Sequence, residues 1–358
     1  MQRSKFYQFF PPPQFLQMPA VGLDISDTAM RFVELIEKRR GFVIGAFGEY
    51  PIPRGVIESG EVKKPEELRA IFLEVKKKHK FEFVSVSLPE EKAYLFELRL
   101  PLMKYSEVRG AIELGLEEHV PLSVGEALFD YEIVKEEGNE IRTSVSAVPT
   151  TLVDGYLEAF QGTDIVPVAF EMEAHSLARA IIPNEEKGTY MTVDFGRTRT
   201  GLAIVSGGVV QFASTVPVGG DSLNDAISKN LKVTYEEAEK IKREKGISGS
   251  SEDENLSLAV MSTVSILREE INKHQTYWQD HADNYGNKRP RIERIYLCGG
   301  DSTLAGFPSF LAAGLSVSVE LANAMVNVNT LEDYIPEISF NDSLRYAVAL
   351  GLALRRPR

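Results

Sequence analysis

The 358-residue chain has one cysteine, Cys298, and five histidines. A single thiol builds neither a disulfide framework nor a thiolate zinc site, and it fits a reducing compartment such as the cytoplasm. His79, His119, His175, His274 and His281 are scattered and fall at no metal-ligand spacing. Positive charge is in deficit: 40 Lys and Arg stand against 52 Asp and Glu, a net charge of −12. Binding to the anionic backbone of a nucleic acid therefore has no electrostatic support. No segment approaches the ~18 uninterrupted apolar residues of a membrane span. Neither a G-x-x-x-x-G-K-[ST] phosphate loop nor a G-x-S-x-G nucleophile elbow occurs. The opening "MQRSKFYQFFPPPQFLQMPA" has three consecutive prolines where a signal peptide needs an apolar core. Residues 1–17 are expected to form an extended arm that docks on a partner or on its own domain.

What is present is a repeat. "MTVDFGRTRTGLAIVSGG" (191–208) places Asp194, Gly196, Thr198 and Thr200 between two apolar runs. Asp, Gly and Thr suit a tight strand connection. They equally suit a phosphate grip, in which glycine admits close approach, backbone N–H groups form a concavity, and an acid holds magnesium through its water shell. "VGLDISDTAMRFVEL" (21–35) repeats the pattern: Asp24 falls on Asp194, Ser26 on Gly196, Thr28 on Thr198, and Phe32 on Leu202. Two such hairpins facing one cleft would clamp a nucleotide's phosphates from both sides, and the repeat favours that reading.

The surroundings repeat as well. After the first hairpin come a strand at 41–50, a helix at 64–79 with Leu68, Ile71, Phe72 and Val75 on one face, and a strand at 81–88. A helix at 150–161, a strand at 164–170 and a helix at 171–181 follow. The second half gives a strand at 207–216, a helix at 221–231 and, after a long interval, a strand at 291–300. A helix at 303–313, a short strand at 315–321 and a last helix at 342–354 complete it. The expected fold is α/β, with β-β-β-α-β-α-β-α twice and a small α/β insertion in each lobe. The cleft between similar lobes is the expected ligand site.

These hairpins resemble the phosphate loops of the actin, sugar kinase and DnaK-type chaperone superfamily, whose lobes are RNase H-like. "IYLCGGDSTLAGF" resembles its adenosine motif. "VGLDISDTAMRFVEL", "LPLMKYSEVRGAIELGLEEHVPLSVGEALFDYEIV" and "DIVPVAFEMEAHSLARA" resemble, more narrowly, the PilM family of type IV pilus accessory proteins, relatives of FtsA, over the chain from about residue 18. The resemblance implies ATP with Mg2+ as ligands, with Asp24 and Asp194 orienting the metal through water. Ser26, Asp27, Thr28, Gly196, Arg197, Thr198, Thr200, Gly219 and Gly220 are the candidates for the phosphate side. Glu237 and Lys240, three apart on a charged helix, are those for ribose and adenine, with Gly299, Gly300 and Ser302 at the adenosine motif. Glu173 stands where chaperone-type relatives carry a catalytic acid, or it simply begins a helix. Ser26 replaces the glycine of most relatives, and no lysine matches the catalytic lysine of some superfamily ATPases. At most slow hydrolysis is expected.

The expected organisation is an arm (1–17), a first lobe (18–87 and 149–185, with the C-terminal helix 341–358) and a second lobe (186–230 and 291–340). An SHS2-like insertion occupies 88–148, and a distal subdomain with a long amphipathic helix occupies 231–290. The resemblance implies a cytoplasmic scaffold that binds the cytoplasmic N-terminal tail of a PilN-like inner-membrane protein through 88–148, without inserting into the membrane itself. Self-association of that insertion, an FtsA-like filament, and a phosphotransferase of the sugar kinase type are the alternatives. The last lacks a recognisable catalytic base and sugar-binding constellation.

Overall fold

The computed structural model describes residues 20–39, 41–247, 254–283, 285–329 and 334–355. The expected arm and the Ser-rich stretch 248–253 lie outside the described residues. The first half runs β1 (Val21–Ile25), β2 (Ala29–Lys38), β3 (Gly41–Pro51), a small hairpin of β4 (Ile57–Glu58) and β5 (Glu61–Val62), α1 (Pro65–His79) and β6 (Phe83–Leu88). An excursion follows: β7 (Tyr94–Pro101), α2 (Tyr105–Gly115), β8 (Ala127–Glu137) and β9 (Glu140–Pro149). The chain returns through α3 (Thr150–Phe160), β10 (Val166–Met172) and α4 (Glu173–Ile181). The second half runs β11 (Thr189–Phe195), β12 (Thr200–Ser206), β13 (Val209–Val216), α5 (Gly220–Leu231), α6 (Tyr235–Lys245), α7 (Glu254–Asp280), β14 (Arg294–Cys298), α8 (Phe307–Gly314), β15 (Ser318–Leu321) and α9 (Ala347–Ala353).

The two main sheets have the same plan. Strand order is β10-β6-β1-β2-β3 in one and β13-β12-β11-β14-β15 in the other. In each, the hairpin strand pairs antiparallel with its neighbour on one side and parallel with the next on the other. A strand covered on both faces must be apolar throughout, and every residue of β1 is buried. α1 supplies the cover on one side. It begins at Pro65, buries Leu68, Phe72 and Val75, and ends where Lys80 turns left-handed at φ 60°. Phe72 stacks on Phe160 of α3 at 4.3 Å between ring centroids. In the second lobe α7 plays this part with the expected face of Leu256, Val260, Val264, Leu267 and Ile271.

Two elements differ from expectation. The helix expected at 303–313 starts only at Phe307, because Gly306 turns left-handed at φ 84° and residues before it form turns. The last helix is broken into a turn at Phe340–Ser343, a 3-10 segment at Leu344–Tyr346 and α9.

α9 closes the first lobe from behind, wedged between β1 and α4. The fit leaves no room for a side chain at two contact points. A Cβ on Gly22 would lie 1.9 Å from the Ala349 carbonyl oxygen, and one on Gly351 would lie 1.7 Å from that of Ser176. The excursion forms a three-stranded sheet, β7-β9-β8, whose Ile141 and Val145 bury Val108 and Ile112 of α2. It also touches the second lobe. The Arg99 guanidinium lies 3.6 Å from the centre of the Tyr285 ring, the Arg99 backbone N–H donates to the Tyr285 hydroxyl at 3.0 Å, and Asp283 sits 3.5 Å from the guanidinium.

Gly351→Val should therefore force α9 off α4. Overpacking of this kind costs about 1–3 kcal/mol or more. A urea titration is expected to show a lowered midpoint; an unchanged midpoint would mean that α9 can shift away from α4 without loss of packing.

Candidate functional site

The two hairpins meet across the cleft between the lobes, and they are closed by the same hydrogen bond. Ser26 N–H donates to the Ala29 carbonyl at 2.9 Å, and Gly196 N–H to the Arg199 carbonyl at 3.1 Å. Asp24 and Asp194 stand at equivalent places just before the turns. Of the residues expected from sequence, Asp24, Ser26, Thr28, Glu173, Asp194, Gly196, Arg197, Thr198, Gly299 and Gly300 line this cleft, whose volume is about 160 Å³. Gly299 is needed at its position: its φ is +90°, and a Cβ would lie 2.4 Å from Asp194 Oδ1.

The remaining candidates have other work. The Thr200 hydroxyl is buried and donates to the Val218 carbonyl at 2.6 Å, tying the hairpin to the segment before α5. Gly220 N–H donates to the Gly196 carbonyl at 3.0 Å and so buttresses the hairpin, while Gly219 N–H donates to Ser222 Oγ at 3.2 Å and caps α5. Asp27 accepts from the Ser59 and Gly60 N–H groups at 3.2 and 3.0 Å, holding the β4–β5 turn. Ser302 is fully buried and donates to the Gly299 carbonyl at 2.8 Å. On α6, Glu237 closes a capping box with Thr234, and Lys240 pairs outward with Glu244 at 3.9 Å. The side chains that α6 turns to the cleft are Glu239, Lys242 and Arg243. The Thr-x-x-Glu capping signature and the apolar Ala238 were the sequence signals for that rotation.

The structure adds residues that the motifs did not name. Arg31 faces Asp24 in the β1–β2 register, 4.0 Å from Oδ2, and its repeat equivalent is Gly201. Asp24 thus has a guanidinium 4.0 Å away, whereas Asp194 faces a glycine at the equivalent register position. Lys242, 4% exposed, pairs with Asp301 at 3.1 Å and donates to the Gly220 carbonyl at 3.2 Å. Arg199, on the second-lobe hairpin, reaches three acids of the first half: Glu91 at 3.3 Å, Asp27 at 3.4 Å and Glu173 at 3.4 Å. Glu173 is also bonded to the buried Glu90, whose carboxyl is pushed well above the usual range by burial and by the Glu173 charge. Burial raises Glu173 as well, against the lowering effect of Arg199 and of its bond to Glu90.

Counting cleft-lining side chains, seven are acidic (Asp24, Glu49, Glu173, Asp194, Asp221, Glu239, Asp301) and six basic (Arg31, Arg197, Arg199, Lys242, Arg243, Arg345). The balance leaves no surplus cation for a polyphosphate. Burial, reinforced by the charge of Glu173, raises Asp24 to about 6, and burial, reinforced by the charge of Asp24, raises Asp194 to about 6. Two acids that resist ionisation and offer hard oxygen donors fit a hydrated magnesium ion. Among the described residues no group of three or more His, Cys, Asp or Glu side chains is arranged to hold a metal directly, so such an ion would draw its remaining ligands from water and phosphate.

The sign of the pH effect follows. Folded pKa values above the unfolded 3.8 mean that the native state binds extra protons, so this stabilising contribution is complete below about pH 4 and is lost as pH rises through about 6. Without nucleotide, Asp194→Asn should stabilise the fold at pH 7.5 by at most about 3 kcal/mol, read as a higher melting temperature. The gain should shrink at pH 5. A gain that is the same at both pH values would place the charge cost elsewhere.

Comparison with known proteins agrees with this architecture. The family described as type IV pilus assembly protein PilM matches residues 22–357. Among solved structures, the chain is similar to a PilM-PilN type IV pilus biogenesis complex, with a TM-score of 0.79 and 24% identity, covering 94% of this chain and 98% of that one. It is also similar to MreB5 of Spiroplasma citri bound to ADP, with a TM-score of 0.50 and 14% identity, covering 92% and 94%. These likenesses establish the duplicated lobes as actin-like. The cell division protein FtsA of Bacillus subtilis (strain 168) is 28% identical over 137 residues, 37% of this chain and 29% of FtsA, so the match spans under a third of that relative's length. With its family matched from the first strand of the fold to past its last helix, the chain belongs to the type IV pilus assembly protein PilM family.

Proposed function

We propose that this protein is a cytoplasmic scaffold of type IV pilus assembly, held at the inner membrane by the cytoplasmic N-terminal tail of a PilN-like protein and biased in conformation by Mg-ATP between its lobes. The observation that carries the partner side is a second cavity, of about 550 Å³, between the excursion and the first lobe. β8 and β10 are the edge strands of their sheets and both line it. Leu128 and Phe129 of β8 and Phe170 and Met172 of β10 contribute apolar surface. Sheet-edge strands beside apolar pockets suit an extended peptide, which adds main-chain hydrogen bonds on one side and seats side chains on the other. The solved PilM-PilN complex supports the choice of partner. No helix among the described residues is long and apolar enough to cross a membrane, which supports recruitment by another chain. On this reading the unit at 88–148 is the partner-binding one and that at 231–290 lies over the adenine side.

The nucleotide side rests on the duplicated hairpins, with the ADP-bound MreB5 as support. Asp24 and Asp194 would hold magnesium through water, and the metal would supply the charge the cleft lacks. Thr28, Gly196 and Thr198 would face the phosphates, and Glu239 and Lys242 the ribose. The cleft volume of about 160 Å³ is below the ~300 Å³ of the smallest usual ligand pockets, so the lobes must part for a nucleotide to enter. Glu173 would be a poor general base. Its carboxylate is already held by Arg199 and Glu90, which leaves ATP as a conformational ligand with at most slow turnover.

The test is capture of a PilN-like tail by Leu128→Asp. Leu128 is 44% exposed on the rim of the second cavity, so the charge should not disturb the core. Affinity for the tail should fall at least tenfold in this variant while Asp194→Ala retains it. Equal capture by wild type and Leu128→Asp would move the partner site elsewhere and favour self-association as the use of the excursion.

A further inference from the structure

The charges lining the cleft balance, so the outermost phosphate of a nucleotide must find its cation elsewhere. We propose that Arg54 binds that terminal phosphate, so that the protein distinguishes a triphosphate from a diphosphate; this rests on the reading that a nucleotide lies between the two hairpins.

The place comes first. A third cavity, of about 350 Å³, adjoins the cleft. Thr28, Thr198 and Asp221 line both, so the tips of the two hairpins form the partition between them. Gly299 and Gly300 of the adenosine motif line the cleft and not this cavity. A nucleotide with its base toward those glycines and its phosphates at the threonines would point its outer end into the third cavity. Among the described residues the one basic side chain lining that cavity is Arg54.

The segment that carries Arg54 is built onto the first hairpin. Ile52 N–H donates to the Thr28 carbonyl at 2.9 Å, and Ile52 and Val56 are buried on either side of the arginine. Gly55 turns left-handed at φ +80°, and Val56 N–H closes the turn on the Pro53 carbonyl at 3.2 Å. Pro53 fixes its own φ. Two buried anchors and a tight turn thus hold an exposed Arg54 beside the hairpin tip that would grip the phosphates.

The electrostatics leave this guanidinium available. The acids around it are mostly engaged. Asp27 accepts from the Ser59 and Gly60 N–H groups and pairs with Arg199 at 3.4 Å. Asp221 pairs with Arg197 at 3.0 Å and accepts from the Tyr235 hydroxyl. Asp225 lines the cavity too, yet among the described residues the Arg54 side chain forms no ion pair or hydrogen bond with it or with any other group. Its guanidinium lies 5.8 Å from the centre of the Tyr235 ring instead. Such a contact is weak at an exposed site, whereas a phosphate offers a bidentate, charge-assisted partner. Tyr235 is the first residue of α6 in the second half, so Arg54 already spans the mouth of the cleft and need only exchange the ring for the phosphate.

The test measures affinity for Mg-ATP and for Mg-ADP by calorimetry, with the full chain and with Arg54→Ala. Arg54 is exposed, so the variant should fold, and an unchanged melting temperature without nucleotide checks it. Affinity for Mg-ATP should fall at least about tenfold in Arg54→Ala, the worth of a charge-assisted pair, while affinity for Mg-ADP stays within about twofold. Equal losses for the two nucleotides, or no loss for either, would overturn the role of Arg54 and leave the nucleotide site standing. No binding of either nucleotide by the unaltered chain would overturn the nucleotide site, and the role of Arg54 with it.

Discussion

The closed cleft depends on Arg199. One guanidinium on the second-lobe hairpin is shared by Asp27, Glu91 and Glu173, which belong to three different segments of the first half. Side chains on both sides are largely buried, at 14% exposure for Arg199 and 15–20% for the acids. Breaking such a network would strand buried charge, so the cation either keeps all its partners or must be offered a replacement. It ties the second-lobe hairpin to acids of the first lobe, and its charge beside Glu173 works against the burial that raises that carboxyl. A nucleotide would have to supply what the network now supplies. Its phosphates can take over the arginine, and its metal can take over the charge of the hairpin acids.

Duplication made the site and asymmetry specialised it. The hairpins share a turn hydrogen bond, a preceding acid and a threonine. They differ where Ser26 replaces the equivalent of Gly196, and where Arg31 stands opposite Asp24 while Gly201 stands opposite Asp194. The Ser26 hydroxyl does not point idly at the ligand space: it donates to the Ala29 carbonyl at 2.9 Å and so stiffens its own turn. The first hairpin is thus the rigid, internally balanced one. The second retains glycine, sets Gly201 opposite its acid, and projects the arginine that joins the lobes.

Much of this was legible in the residues because it is periodic. A constant offset links Asp24 to Asp194, and helical spacing marks the buried faces of α1 and α7. What failed was side-chain assignment within elements that had been located correctly. Glu237 and Lys240 share a face, but it is the solvent face, because the capping box and Ala238 set the rotation of α6 two residues further, to Glu239 and Lys242. Ser302 and Thr200 look like ligand donors in sequence and are consumed by main-chain carbonyls. Arg199 was invisible for a different reason. Its partners lie 172, 108 and 26 residues away along the chain (from the numbers 27, 91 and 173), and no local pattern encodes contacts of that range. The break in the last helix escaped notice too, since the sequence from 342 to 354 is helix-compatible throughout.

The central claim is that both lobes grip one nucleotide. Amide hydrogen exchange with and without Mg-ATP tests it most directly. Protection should appear together in residues 24–28 of the first lobe and in 194–200 and 299–301 of the second, and it should require the metal. Protection confined to one lobe, or none at saturating nucleotide, would contradict the account.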